Sequence, residues 1–363
     1  MTKRFLIVAG DPSGDFHAAH LARALKALEP GVRIAAVGGS LLRAAADEFI
    51  EDVASLGVTG FLEPLRKLPF FFKLLRRLER WLRAHKPAAV ICVDFYGFNR
   101  WVLAAAKAQG LPTYYYISPQ VWATRSGRVR TLKRLADRML VIFPFEENLY
   151  KDAGVPVSFV GHPLLDHLPT PRPKARSGPL RIGLLPGSRP GEVRRHLPIF
   201  LKAVALLRNE FSDIDASVFA APPLQDDAYR AVRRAGLPLV RDESYRLRSE
   251  LDFALTSSGT ATLENALLGI PMAVVYRLSW PTYWIARQLI RVPRIAMANL
   301  LAGRELVPEL IQQDATPRRL SEAAGSFLRD AQKLASTREE LLRIRRLLGE
   351  PGAAARAASI ILG

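Results

Sequence analysis

The sequence predicts two α/β domains in tandem, each a parallel sheet covered by helices. Three observations predict this. Short apolar runs alternate with helical patterns along the 363-residue chain, as a parallel sheet covered on both faces requires. The alternation stops once, at LPTPRPKARSGP (168–179), a stretch rich in proline, basic and small residues that reads as a linker. It then restarts, and at roughly 100–200 residues per domain the length accommodates two. The 49% of hydrophobic residues is enough for two cores.

In chain order, strands are expected over 5–9, 34–37, 88–93, 113–117, 139–142 and 157–160. Helical patterns lie between them over 16–28, 70–84, 101–109 and 128–135. Gly110 and Gly154 follow helices as C-terminal stops. Beyond the linker come strands 180–185, 216–219, 237–240, 253–256 and 271–276, with helices 197–209, 228–235 and 261–268. The stretch 317–362 reads as helical, interrupted over 349–352. The first domain is expected over 1–167 and the second over 168–339. The helices of about 340–363 pack back on the first domain or on a partner chain, so a homo-oligomer stays open.

Composition narrows the function classes. No run of about 18 uncharged apolar residues occurs, so no transmembrane helix is expected. MTKRFLIVAGDPSGD lacks the apolar core and cleavage site of a secretory signal, and 5–9 reads as a buried strand. The single cysteine, Cys92, lies in the apolar run AAVICVDF and reads as a buried thiol in a reducing cytoplasm. No Cys/His cluster has zinc spacing, so no metal is expected. The formal charge of +18 fits nucleic acid, anionic lipid or a phosphorylated substrate. None of the usual nucleic-acid modules is present, which argues against the first.

Ligands of such sheets bind in the loops after the strands, here in a cleft expected between the carboxyl ends of two sheets. Four loops qualify. In AGDPSGD (9–15), Gly10 and Gly14 permit a tight turn, Ser13 or Asp15 can cap the next helix, and free amides could hold a ligand oxygen. In VDFYGFN (93–99), Asp94 ends a strand, where a carboxylate can take a proton from a hydroxyl or simply cap a helix. LLPGSRPGE (184–192) has the loop amides of Gly187 and Ser188 and the donor fork of Arg189, suited to phosphate. It is not a Walker loop, because the GK[ST] is missing. In TSSGTATLENALLGIP (256–271), Ser258, Gly259 and Thr260 open a helix whose positive end favours a diphosphate, and Glu264 one turn in could accept from ribose hydroxyls.

These loops, with ISPQVWA (117–123), IFPFE (142–146), VGHPLLD (160–166) and NLLAGRELVPELIQ (299–312), occur in the order found in one family. From about residue 5 to about 316 the chain closely resembles the lipid-A-disaccharide synthases. The resemblance implies a GT-B fold of two Rossmann-like domains and an inverting glycosyl transfer without metal or cofactor. It implies UDP-2,3-diacylglucosamine as donor and 2,3-diacylglucosamine 1-phosphate (lipid X) as acceptor, joined by a β(1→6) link. Carried over, Asp94 is the candidate general base. Gly187, Ser188, Arg189, Ser258, Gly259, Thr260, Glu264, Asn299, Gly303, Arg304 and Glu305 form the UDP site. Ser13, Gly14, Asp15, Asn99, Ser118 and Trp122 face the acceptor or cleft. The chain departs from the family at Asp11, usually Glu, and at Gly97, Gln120 and Thr124. His162 reads as a structural turn residue. A second reading is another enzyme of this architecture, such as a lipid-linked hexosaminyltransferase or a UDP-sugar epimerase.

The stretch 62–86 projects, at about 100° per residue, an arc of Leu68, Phe71, Phe72, Leu75, Leu78, Trp81 and Leu82 opposite Arg66, Lys73, Arg76, Arg77, Arg80 and Arg83. Pro69 should break the first turn, so the helix is expected from Phe70. Phe70, Phe71 and Phe72 in succession cannot all face inward. Together with Lys73, Arg76, Arg77, Arg80 and Trp81 they are expected to contact an anionic membrane surface, placing the protein peripherally on the cytoplasmic face of the inner membrane. RSGRVRTLKR (125–134) and SWPTYWIARQLIRV (279–292) are further basic segments that fit an amphiphilic substrate.

Overall fold

A computed structural model describes residues 2–56, 67–124, 127–171, 178–222, 224–278, 283 and 294–363. Arg66, Arg125 and nearly all of the 279–292 segment lie outside the described residues, as does the middle of the linker. The chain divides into two compact units, Met1–Asp166 with Leu348–Gly363, and His167–Leu347. No described helix is long and apolar enough to cross a membrane.

The first unit carries strands β1 (Arg4–Ala9), β2 (Arg33–Gly38), β3 (Glu48–Asp52), β4 (Ala89–Val93), β5 (Thr113–Tyr116), β6 (Arg138–Val141) and β7 (Val157–Phe159). They pair in parallel in the order β3-β2-β1-β4-β5-β6-β7. β4 is buried along its whole length, as a near-continuous apolar run in a covered parallel sheet must be. Helices α1 (Pro12–Leu28), α2 (Ser40–Ala45), α3 (Leu68–His85), α4 (Tyr96–Lys107), α5 (Val121–Thr124), α6 (Gly127–Leu135) and α7 (Pro144–Asp152) connect them.

The second unit has β8 (Leu180–Leu185), β9 (Ile214–Phe219), β10 (Leu239–Val240), β11 (Phe253–Ser257), β12 (Met272–Tyr276) and β13 (Glu309–Ile311), all parallel, in the order β10-β9-β8-β11-β12-β13. Its described helices are α8 (Pro190–Glu210), α9 (Arg230–Arg234), α10 (Thr260–Leu267), α11 (Met297–Ala302), α12 (Pro317–Leu328) and α13 (Ala331–Leu347). The last helix, α14 (Ala353–Leu362), returns to the first unit and packs on α1. Arg356 fastens it there by donating from Nε to the Val160 carbonyl at 2.8 Å.

In each sheet the strand order reverses once, between β1 and β4 and between β8 and β11. The loops leaving those four strands therefore stand at the two switch points, where crevices open beyond the carboxyl ends.

The helix with the aromatic and basic residues departs from the wheel drawn for it. α3 begins at Leu68, because Pro69 in the first turn lacks only an amide that would have no helical partner. Leu74, Leu78, Trp81 and Leu82 are buried in the core of the first unit, with Phe70, Phe71 and Leu75 partly buried against it. Trp81 is thus no membrane contact: its Nε1 donates to Glu48 Oε1 at 2.7 Å. Phe71 is likewise drawn inward, between Phe95 and Phe98 with ring centroids 5.9 and 5.1 Å away. Phe72 stays 60% exposed, with Leu68 beside it on the first turn at 44%. Lys73, Arg76 and Arg80 are exposed, and Arg77 is paired with Glu51.

Candidate active site

The first switch point gathers the ends of β1 and β4. Asp94 follows β4 directly and adopts a left-handed backbone, φ +45°, and so does Phe95 at +46°. Two consecutive non-glycine residues in that region store backbone strain, which persists only where surrounding contacts over-determine it. Here they do. The Asp94 amide donates to the Tyr116 carbonyl at 3.1 Å. Its own carbonyl accepts from Asn99 Nδ2 at 2.8 Å and from the Tyr115 hydroxyl at 2.5 Å. The Phe95 ring lies over Gly10, where any Cβ would come within 2.0 Å of it. Burial pushes the Asp94 carboxyl up to about 6, helped by the negative charge of Asp11 and opposed by the Phe95 amide.

Several side chains expected at this cleft are engaged elsewhere. Asp11 caps α1 by accepting from the Gly14 amide, so that amide is not available to a ligand. Asp15 is buried, 4% exposed, and accepts from the amides of Gly39, Leu41 and Leu42. It caps the start of α2 and is a structural residue, because three amides saturate a carboxylate that has left water. Asn99 is fully buried, and its Nδ2 also reaches the carbonyls of Val8 and Val93. It ties two strand ends together and does not face a substrate. Ser118 is buried with its Oγ 2.7 Å from the Tyr150 hydroxyl. Trp122 packs edge-on to Phe145, close to Glu146, whose carboxyl burial pushes up to about 8. Ser13 is exposed at the start of α1. Cys92 is buried, and burial pushes its thiol up, as expected of a structural thiol. His162 is buried, accepts at Nδ1 from the Leu164 amide, and is lowered to about 3 by burial and by His17.

The second switch point opens into a pocket of about 480 Å³, a size typical of small-ligand sites. Gly187, Ser188 and Arg189 line it from the loop after β8, and Ser258, Gly259, Thr260 and Glu264 from the start of α10. Helix α10 begins at Gly259 without a side-chain cap. The Thr262 amide turns back onto the Gly259 carbonyl at 3.0 Å, which leaves the amides ahead of it and the dipole for an anion. Glu264 is held by two residues that sequence reasoning missed: Arg248 Nη1 donates to Oε2 at 2.6 Å and the Tyr245 hydroxyl to Oε1 at 3.1 Å. Each carboxylate oxygen keeps a further lone pair, so Glu264 can still accept from a ligand hydroxyl. Glu192, also missed, accepts from the Ser188 amide at 3.0 Å and from Arg189 Nη1 at 3.3 Å. It packs so close to Gly187, φ +127°, that a Cβ there would meet it at 2.6 Å.

Four residues assigned to the nucleotide do not line this pocket. Asn299 is fully buried, donating to the Val307 carbonyl and Glu309 and accepting from the amides of Leu306 and Val307. Its hydrogen-bonding groups are occupied within the fold, so it organises the turn before β13. Gly303 is the left-handed cap of α11, Arg304 pairs with Glu340 at 3.1 Å, and Glu305 is exposed.

Comparison with known proteins agrees with the fold. The chain is 41% identical to the lipid-A-disaccharide synthase of Syntrophus aciditrophicus strain SB, over 99% of this chain and 97% of that one. Among solved structures it is similar to the calicheamicin glycosyltransferase CalG4, with TM-score 0.65 and 15% identity over 100% and 99% of the two chains. It is also similar to the UDP-GlcNAc 2-epimerase of Neisseria meningitidis bound to UDP-GlcNAc, with TM-score 0.60 and 12% identity over 99% and 98%. At those identities the structures speak for the fold alone, which is GT-B. The model of the lipid-A-disaccharide synthetase family matches residues 5–362, and the chain belongs to that family.

Proposed function

We propose that this protein is an inverting glycosyltransferase that moves 2,3-diacylglucosamine from its UDP derivative to the 6-hydroxyl of 2,3-diacylglucosamine 1-phosphate. The products are the β(1→6)-linked disaccharide 1-phosphate and UDP. Family membership over residues 5–362 carries the reaction class. One structural observation supports the assignment of roles. Asp94 follows β4 at a switch point with its carboxyl pushed up to about 6, a base matched to neutral pH.

In this reading the second unit is the donor domain. Arg189 and the first-turn amides of α10 hold the diphosphate, and Glu264, steadied by Arg248 and Tyr245, accepts from the ribose. The first unit serves the acceptor. Asp94 removes the proton of the 6-hydroxyl as that oxygen attacks the anomeric carbon. The bond from that carbon to the diphosphate breaks, and the charge on the leaving UDP is met by Arg189 and the amides. Phe72 and Leu68, flanked by Lys73, Arg76 and Arg80, would rest on an anionic bilayer on the cytoplasmic side.

Mass spectrometry of products from the UDP-sugar and the monosaccharide phosphate tests the reaction. A disaccharide phosphate is expected; conversion of the UDP-sugar alone to an isomer would mean an epimerase instead. Asp94→Asn should lower turnover by at least about a hundredfold, the scale of a lost general base, with UDP affinity unchanged by calorimetry. Equal loss of both would make Asp94 structural.

A further inference from the structure

The reading of Asp94 as the base leaves open what aims it. Strand β4 ends at Val93, and beyond that point the chain turns through two left-handed residues that no glycine eases. The turn is closed from three directions. Behind Asp94, its amide continues the ladder onto Tyr116. Beneath it, Asn99 from the first turn of α4 reaches its carbonyl. From the neighbouring strand the Tyr115 hydroxyl reaches the same carbonyl oxygen at 2.5 Å. Tyr115 pairs with Cys92 in register, so its ring runs along the sheet toward the carboxyl edge and its hydroxyl arrives two residues further on. The side chain is fully buried, and its hydroxyl donates here. A fully buried tyrosine hydroxyl needs a partner, and this one takes the carbonyl of the strained residue itself, so it holds the turn as well as filling the core.

We propose that Tyr115 is a positioning residue for the transfer reaction: its buried hydroxyl, with Asn99, clamps the Asp94 carbonyl and so fixes the left-handed turn that presents the carboxylate. The inference rests on Asp94 being the base. Without the clamp, the peptide can relax toward an ordinary helix cap, φ becoming negative, and the carboxylate swings off its line. The groups facing the carboxylate are Asp11 at the cap of α1, the Phe95 amide and Tyr115 itself. Relaxation also gives the carboxylate more water, which lowers the pH at which it ionises.

Tyr115→Phe removes the hydroxyl and keeps the ring. It is expected to lower kcat at least about tenfold, the penalty of a misplaced catalytic group, with donor KM and UDP affinity within about twofold. The acid limb of its pH–rate profile should move to lower pH, a shift that a loss of folded protein would not produce. In an Asp94→Asn background the same change should cost nothing further, as expected of two residues acting through one group. Asn99→Ala, which removes the other donor, should show the same pattern. Wild-type kcat and pH profile in a folded variant overturn the proposal, and so does failure of both variants to fold, which would make the clamp purely structural. If Asp94→Asn itself retains wild-type activity, it is the base assignment that fails. If Asp94→Asn is inactive and Tyr115→Phe is not, only the clamp fails.

Discussion

Asp94 combines an unfavourable backbone with an unfavourable charge, and both have measurable consequences. Its carboxyl titrates at about 6 when folded against 3.8 ordinarily, so the folded state holds the proton more tightly. The stability this proton confers is complete below 3.8 and lost as pH rises through about 6. In the proposed reaction activity runs the other way, because a base must be ionised, so turnover should fall as pH drops through about 6. Urea unfolding above that pH should find Asp94→Asn more stable than the native protein, the usual exchange of stability for function; a destabilised variant would contradict the burial argument. Glu192 competes with the proposed diphosphate, since its carboxylate already occupies the Ser188 amide and the Arg189 fork. Glu192→Gln removes the competing charge and should tighten UDP binding about threefold to tenfold, or roughly 0.6–1.4 kcal/mol. Calorimetry decides, and weaker binding would make Glu192 a ligand contact. The positions of Asp94 and Arg189 after strands were legible in sequence because strand–loop–helix punctuation is local. Tyr115, Arg248 and Tyr245 were not, since each acts on a residue 16 to 21 positions away or across a loop, and nothing in their neighbours marks it.

Among the elements, most strands were readable to within a few residues, even the short β7 and β10, whereas α8 starts at Pro190, ahead of the expected 197, and β3 and β13 were not read. β3 reads EFIED, half charged, and β13 has three residues; each lies at the edge of its sheet and needs no apolar run. Helix α7 starts on the proline of IFPFE, just past the strand expected over 139–142, and is missing from the expected helices. The helix wheel of α3 located the cationic side but overstated the outward aromatics, because Phe95 and Phe98 supply inward partners that a single helix cannot reveal. The same limit applies to Asp15, an acid in the first turn of α1 whose three donors come from α2. Asp15→Ala should destabilise the first unit by about 2–4 kcal/mol, since three buried amides lose their acceptor. Urea titration followed by circular dichroism checks this, and a change below about 1 kcal/mol would mean the cap is dispensable.

For the whole molecule, the fold class and the division into two sheets follow from one alternation broken by one proline-rich stretch. The charge of +18 finds partial use at the second switch point, where Arg189 and Arg248 line the pocket, while Lys73, Arg76 and Arg80 remain exposed beside Phe72. Co-sedimentation with vesicles should therefore require anionic lipid, weaken with salt, and fall on Phe72→Asp, each nearby basic residue contributing about 1 kcal/mol. Salt-independent binding to neutral vesicles would contradict that reading. The proposed transfer requires the nucleotide in the pocket of the second unit. A crystal structure with UDP tests this most directly: the diphosphate oxygens should lie within hydrogen-bonding distance of the Arg189 guanidinium and the first amides of α10. A nucleotide bound outside that pocket, with Arg189 still paired to Glu192, would contradict it.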